Sequence, residues 1–148
     1  MPAYRTLASV GKVKPDPAQL LAAEKLQSLH HALQNYRPAT GRAGWRDRLG
    51  LGSRREDPPQ GLYIFGAVGR GKSLLMDLFF ESAPVAAKRR VHFHQFMLEV
   101  HETLHAWRKA EGSVADPLTR LADKIAADAW LLCFDEFLVE NIADAMIL

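Results

Sequence analysis

Three stretches of this sequence carry residue types whose spacing can do chemistry. The first is Gly66-Ala67-Val68-Gly69-Arg70-Gly71-Lys72-Ser73, which fits the phosphate-loop pattern GxxxxGK[ST]. An apolar run, Leu62 to Phe65, precedes it and reads as a buried strand, and Leu74 to Phe80 follows as an apolar helix. Strand, glycine-rich turn and helix is the setting in which this pattern cradles phosphates. Gly66, Gly69 and Gly71 let the backbone turn tightly and bring its N–H groups close to phosphate oxygens. The positive end of the helix dipole points at the same place. Lys72 brings a full charge on a flexible stem, suited to β- and γ-phosphates. Ser73 offers a hydroxyl to a magnesium ion that keeps most of its water. The expected nucleotide contacts are therefore Gly66 through Ser73, with Ala67, Val68 and Arg70 contributing as members of the loop.

The second stretch is Leu131-Leu132-Cys133-Phe134-Asp135-Glu136, an apolar strand ending in an acidic pair. Open parallel sheets bind ligands at the carboxyl ends of their strands, which is where this pair falls. Asp135 is the expected magnesium residue opposite Ser73, and Glu136 the expected general base that polarises an attacking water. Alone, such a pair can merely stop a strand at the surface. Following a phosphate loop by roughly sixty residues, it reads as a Walker B segment. The second acid favours hydrolysis of ATP over transfer to a small molecule, because a kinase must keep water from that position.

The third stretch competes with the first two. His101-Glu102-Thr103-Leu104-His105 spells HExxH on an expected helix, the zinc peptidase pattern. Its context is poor: Glu99 places a charge where a buried metal helix wants an apolar residue, and no third ligand is evident. His92 and His94 would share a strand face and could add ligands, although such pairs more often pack or hydrogen-bond. Two histidines on a helix flank are the preferred reading.

The elements that must position these residues follow from periodicity and capping. Residues 1–15 read as irregular. Asp16-Pro17-Ala18-Gln19 announces a helix, with Asp16 as cap, Pro17 in the first turn and Gln19 able to close a capping box. Ala22, Leu26, Leu29 and Leu33 form its stripe, and it should end before Pro38. His30 and His31 flank that stripe in a solvated or capping role. From Arg37 to Gln60, six arginines, several glycines and Pro58-Pro59 read as a flexible basic loop. The stretch could touch an acidic partner or nucleic acid, but with Trp45 its one interleaved aromatic a solvated linker is the preferred reading. Ala83-Pro84 ends the helix after the phosphate loop. Alternation from Val91 to Phe96 predicts a strand. Phe96, Val100, Leu104 and Trp107 predict a helix from about Met97 to Lys109. Asp116-Pro117 opens another, with Leu118, Leu121, Ala122 and Ile125 on its apolar side. The order of strands and helices is that of an α/β protein.

Composition sets the outer bounds. At 148 residues the chain is one domain's worth, and a net charge of +2 does not argue for nucleic acid or membrane. The single cysteine, Cys133, excludes an internal disulfide and fits a reducing compartment. No stretch is long enough to span a bilayer, and the N-terminus lacks an apolar signal-peptide core. Cytoplasmic is the default, a short transit peptide the alternative.

GLYIFGAVGRGKSLLMDLFFESAP, RRVHFHQFMLEVHETLH, DPLTRLADKIA and LLCFDEFLVENIADAMIL together resemble the ZapE-like AAA+ ATPases, a family of bacterial cell-division ATPases and related mitochondrial proteins. DPAQLLAAEKLQSLHHAL resembles it as well. The resemblance implies a P-loop NTPase core of the AAA+ type, a three-layer parallel sheet incomplete at its C-terminal end and preceded by an N-terminal helix. It implies ATP and Mg2+ as ligands, with Lys72 on the phosphates, Ser73 and Asp135 around the metal, and Glu136 as the catalytic acid. The resemblance also implies a homo-oligomeric ring and a protein partner, the division-ring protein in bacteria, or an association with the inner membrane in mitochondria. The expected division is 1–36 as an N-terminal segment with an amphipathic helix, 37–60 as the basic loop, and 61–148 as the first part of the core. Family members continue past Leu148 with a sensor strand, an arginine finger and a lid. The chain is accordingly expected to be an N-terminal portion, inactive in hydrolysis by itself and prone to aggregate through unpaired strand edges. A nucleotide-binding switch without turnover is the alternative function, and the zinc peptidase a remote one.

Overall fold

The computed structural model describes residues 2–11, 16–36, 58–112 and 116–148. The basic stretch expected at 37–60 falls almost wholly outside them. The chain divides into two units, Met1–Ala86 and Ala87–Leu148.

The first unit holds three helices: α1 (Pro2–Ser9), α2 (Pro17–Asn35) and α3 (Lys72–Ser82). Helix α1 corrects the expectation of an irregular start. Its reason is packing, since the Tyr4 ring is fully buried and both α1 and α2 rest on α3. Helix α2 begins as expected, with Asp16 accepting a bond from the Ala18 N–H at 2.9 Å and Pro17 in the first turn. Ala23, Leu26 and Leu33 turn inward from α2 and meet a core that includes Leu75 and Phe79 of α3. Ala83 ends α3, donating to the Phe79 carbonyl at 2.8 Å, just ahead of Pro84. Leu62 to Phe65, expected as a strand, joins no ladder among the described residues. Phe65 is 83% exposed. A strand is a property of pairing, and apolar residues without a neighbouring ladder remain extended chain.

The second unit is a β-α-α-β arrangement. Strands β1 (Lys88–His92) and β2 (Leu131–Asp135) pair in parallel, with Lys88 opposite Leu131 and His92 opposite Asp135. Helices α4 (Phe93–Glu111) and α5 (Pro117–Asp128) form the crossover, and α6 (Ile142–Ile147) follows β2. The strand expected at Val91–Phe96 is shifted: it ends at His92, and the helix starts four residues before the expected Met97. Helical periodicity explains this. Phe93, Phe96, Met97 and Val100 recur every three or four residues and bury together with Leu121. In a strand, Phe93 and Phe96 would lie on opposite faces. The alternation with His92 and His94 was coincidental, and His94 lies on a helix rather than beside His92 on a strand. Phe93 also meets Phe134 edge-on at 5.8 Å and Phe137 at 4.5 Å, which ties the start of α4 to the end of β2.

Helix α5 is capped by Asp116, whose carboxylate accepts from the Thr119 N–H at 3.2 Å. Hydrogen bonds from Thr119, first from its side-chain hydroxyl and then from its backbone N–H, hold the Asp116 carboxyl below the usual aspartate range. Its contribution to the folded state is therefore present above the unfolded aspartate pKa and disappears as pH falls through the lowered folded value. Thermal melts of wild type and Asp116→Ala should differ at neutral pH, and the difference should shrink steadily on acidification.

Candidate functional site

The stretch Gly66–Ser73 turns at its three glycines, as their spacing anticipates. Gly66, Gly69 and Gly71 have φ of 149°, 77° and 75°, a region that residues with a Cβ rarely adopt. Nothing crowds a Cβ at Gly66 or Gly69, so the requirement there is conformational. At Gly71 it is also steric, because a Cβ would lie 3.0 Å from the Gln19 amide nitrogen. Gly71 caps α3, and its carbonyl accepts the first helical bond, from Leu75 N, at 3.1 Å. The N–H groups of the first turn of α3 have no partner within the helix and point out of its N-terminus. Lys72 arches back across the loop and donates to the carbonyls of Gly66 and Ala67, both at 2.9 Å. The ammonium is thereby held over the loop, bonded to neutral carbonyls that a charged acceptor would outcompete. Ser73 is exposed in the first turn of α3. Its hydroxyl and a carboxylate are hard oxygen donors, the kind magnesium takes.

Two residues at the start of α2, Gln19 and its cap Asp16, reach the loop, and Tyr4 of α1 holds one of them. Gln19 Nε2 donates to the Arg70 carbonyl at 3.0 Å, and Tyr4 donates its hydroxyl proton to Gln19 Oε1 at 2.9 Å. Asp16 pairs with Arg70 at 2.6 Å. Gln19 thus works on the loop and not in the expected capping box. Sequence reading missed this role because the bond joins residues far apart in the chain, and the capping pattern offered a local explanation.

In the second unit, Asp135 is the last residue of β2 and Glu136 the first beyond it. Asp135 is held by Arg90 of β1, which donates from Nε to Oδ2 at 2.7 Å and from Nη2 to Oδ1 at 3.2 Å. Both side chains are largely buried, at 26% and 15% exposed for Arg90 and Asp135. Arg90 was not singled out from the sequence. The available signal was a basic residue inside a strand, facing the carboxyl end of its parallel neighbour. Glu136 is exposed and has φ of 52°. A non-glycine residue held there costs on the order of 1 kcal/mol, strain of the kind that collects at functional sites. Cys133 is buried in the middle of β2, and burial pushes its thiol above the usual range, so it behaves as a packing residue.

The histidines of the HExxH pattern separate in role. His101 Nε2 lies 2.6 Å from Asp144 Oδ1 on α6, whereas His105 is exposed. Among the described residues no group of three histidine, cysteine or acidic side chains is placed to hold a metal ion. No helix among them is long and apolar enough to cross a membrane.

The AFG1-like ATPase family profile matches residues 1–148. This chain belongs to the AFG1-like ATPase family. It is 44% identical to the cell division protein ZapE of Escherichia coli K12 over 98% of this chain and 39% of that protein. It is 33% identical to lactation elevated protein 1 homolog B of Danio rerio, over 98% of this chain and 37% of that one. The chain thus spans well under half the length of these relatives. No solved structure matches it.

Arg90→Met should leave the Asp135 carboxylate largely buried and without its bidentate partner. A loss of about 2–3 kcal/mol in urea unfolding is expected, somewhat below the range for fully buried pairs. Arg90→Met/Asp135→Leu should recover part of that loss, because neither charge is then left behind.

Proposed function

We propose that this chain supplies the nucleotide-binding part of a Mg-ATP-dependent ATPase of the AAA+ type, acting on a protein partner. The conformation of Gly66–Ser73 is the observation that carries the reading: three glycines at positive φ, a helix N-terminus behind them, and Lys72 folded over the loop. Family membership and the parallel pairing of β1 with β2 support it. On this reading residues 61–148 form the first part of a three-layer P-loop core, after an N-terminal segment at 1–36 and a basic connection at 37–60.

The assigned roles follow from chemistry. The backbone of Gly66, Ala67, Val68, Gly69, Arg70 and Gly71 wraps the phosphates and donates N–H groups to them. Lys72 exchanges its carbonyl acceptors for β- and γ-phosphate oxygens. Ser73 and Asp135 are the magnesium residues, and the ion, when bound, neutralises charge that develops on the phosphate oxygens. Arg90 competes for the Asp135 oxygens and keeps the carboxylate ordered until a cation is present. Glu136, exposed beyond β2, accepts a proton from the attacking water.

ZapE is named as a cell division protein, and a role in division with a division-ring protein as partner is proposed here by that likeness. A cytoplasmic location and a ring of copies, in which a neighbour's arginine completes each site, belong to the same proposal.

Steady-state hydrolysis and nucleotide binding of the intact protein test the assignment. Lys72→Ala should abolish ATP binding. Glu136→Gln should keep ATP affinity near wild type and lower turnover by at least about a hundredfold, the usual contribution of a general base. Normal turnover in Glu136→Gln would remove the assigned base. Tight binding with no turnover in the wild-type protein would instead favour a nucleotide-controlled switch.

A further inference from the structure

We propose that the N-terminal helix pair is a working part of the nucleotide site: Tyr4 and Gln19 are positioning residues that fix the Arg70–Gly71 bend of the phosphate loop. This rests on the reading of Gly66–Ser73 as a loop for the phosphates of a nucleoside triphosphate, and adds residues that the loop pattern does not contain.

The argument starts at the Arg70 carbonyl. A carbonyl can only accept, so the group bonded to it at 3.0 Å must be the NH2 side of the Gln19 amide. The other side of the amide, Oε1, then faces Tyr4 and takes its hydroxyl proton at 2.9 Å. Tyr4 is fully buried, so its ring is fixed by packing and its hydroxyl can hold the amide in one orientation. The peptide joining Arg70 to Gly71 is trans and planar, like every described peptide bond of the chain. In such a unit the C=O and N–H point in opposite directions. Anchoring the Arg70 carbonyl on Gln19 therefore aims the Gly71 N–H away from α2. That N–H belongs to the part of the loop where phosphate donors are needed.

Two further contacts make the bend a built feature. The Gln19 amide packs against the Gly71 backbone so closely that a Cβ there would lie 3.0 Å away. Asp16 caps α2 through one carboxylate oxygen and pairs with Arg70 at 2.6 Å through the other. The Arg70 side chain is 56% exposed, so this ion pair is an outer tether weakened by salt. The Gln19 bond is the inner one. A loop pre-set by these contacts loses less freedom when it closes on phosphates, and such preorganisation appears as affinity.

The test compares Gln19→Met, Tyr4→Phe and the double variant in the intact protein, with Gln27→Met of the same helix as control. The dissociation constant for ATP with Mg2+ is read by calorimetry, and amide hydrogen exchange of Gly71 is read without nucleotide. Gln19→Met should weaken ATP binding about fivefold to tenfold and speed Gly71 exchange, and Tyr4→Phe should weaken binding about twofold to threefold. The double variant should be no weaker than Gln19→Met, because the tyrosine acts only through the amide. Gln27→Met should match wild type. Should Gln19→Met fail to fold, the milder Tyr4→Phe carries the same expectation. Wild-type affinity and unchanged Gly71 exchange in Gln19→Met and Tyr4→Phe, or losses that simply add, would overturn the proposal and leave the phosphate-loop reading standing. Absence of ATP binding in the wild-type protein would overturn both.

Discussion

A single bend of main chain, held where side chains are not tolerated, is the constraint on which the rest depends. Gly66, Gly69 and Gly71 adopt positive φ and lead the chain into the N-terminus of α3. Such a turn is costly for the chain to hold by itself, since glycine loses more freedom on ordering than any other residue. The first unit offsets that cost in three ways. Helix α3 anchors one side of the bend through Leu75 and Phe79, Lys72 binds the loop's own carbonyls, and Gln19 with Asp16 grips Arg70. The N-terminal helices therefore have a role beyond covering apolar surface.

The second unit solves a different problem, which is to present acids at the end of a strand without leaving a buried charge unpaired. Parallel pairing in register brings the ends of β1 and β2 level, with His92 opposite Asp135. Arg90 then satisfies both carboxylate oxygens of Asp135 from the neighbouring strand. Behind the strands, Phe93 and Phe96 pack edge-on against Phe134, and Phe137 closes the cluster on the far side of the acidic pair. The acids are thus bracketed by aromatic residues that fix where β2 stops. Glu136, at positive φ, takes up the change of direction.

Local chemistry was legible in the sequence and partnership was not. The glycine spacing, the Asp16 and Asp116 caps, the stop before Pro84 and the strand ending in Asp135 rest on interactions spanning a few residues, and each has a residue-level signature. The boundary at His92 was misplaced because Val91 to Phe96 satisfies period two and period 3.6 at once, and only burial of Phe93 beside Met97 decides between them. Helix α1 escaped notice because it is short and its stabilisation is concentrated in one buried ring, Tyr4. Leu62 to Phe65 was expected to be a strand because apolar runs usually find a ladder, and hydrophobicity does not reveal whether a neighbour supplies one. Arg90 and Gln19 act on residues far along the chain, which no periodicity reports.

The most direct measurement of the central claim is a titration of ATP with Mg2+ into the isotope-labelled intact protein, following the backbone amide resonances of Gly66 to Ser73. The account predicts saturable shifts at Gly69, Gly71, Lys72 and Ser73, at one nucleotide per chain and weaker when magnesium is removed. Saturation with those amides unmoved and the shifts confined to other parts of the chain would contradict it.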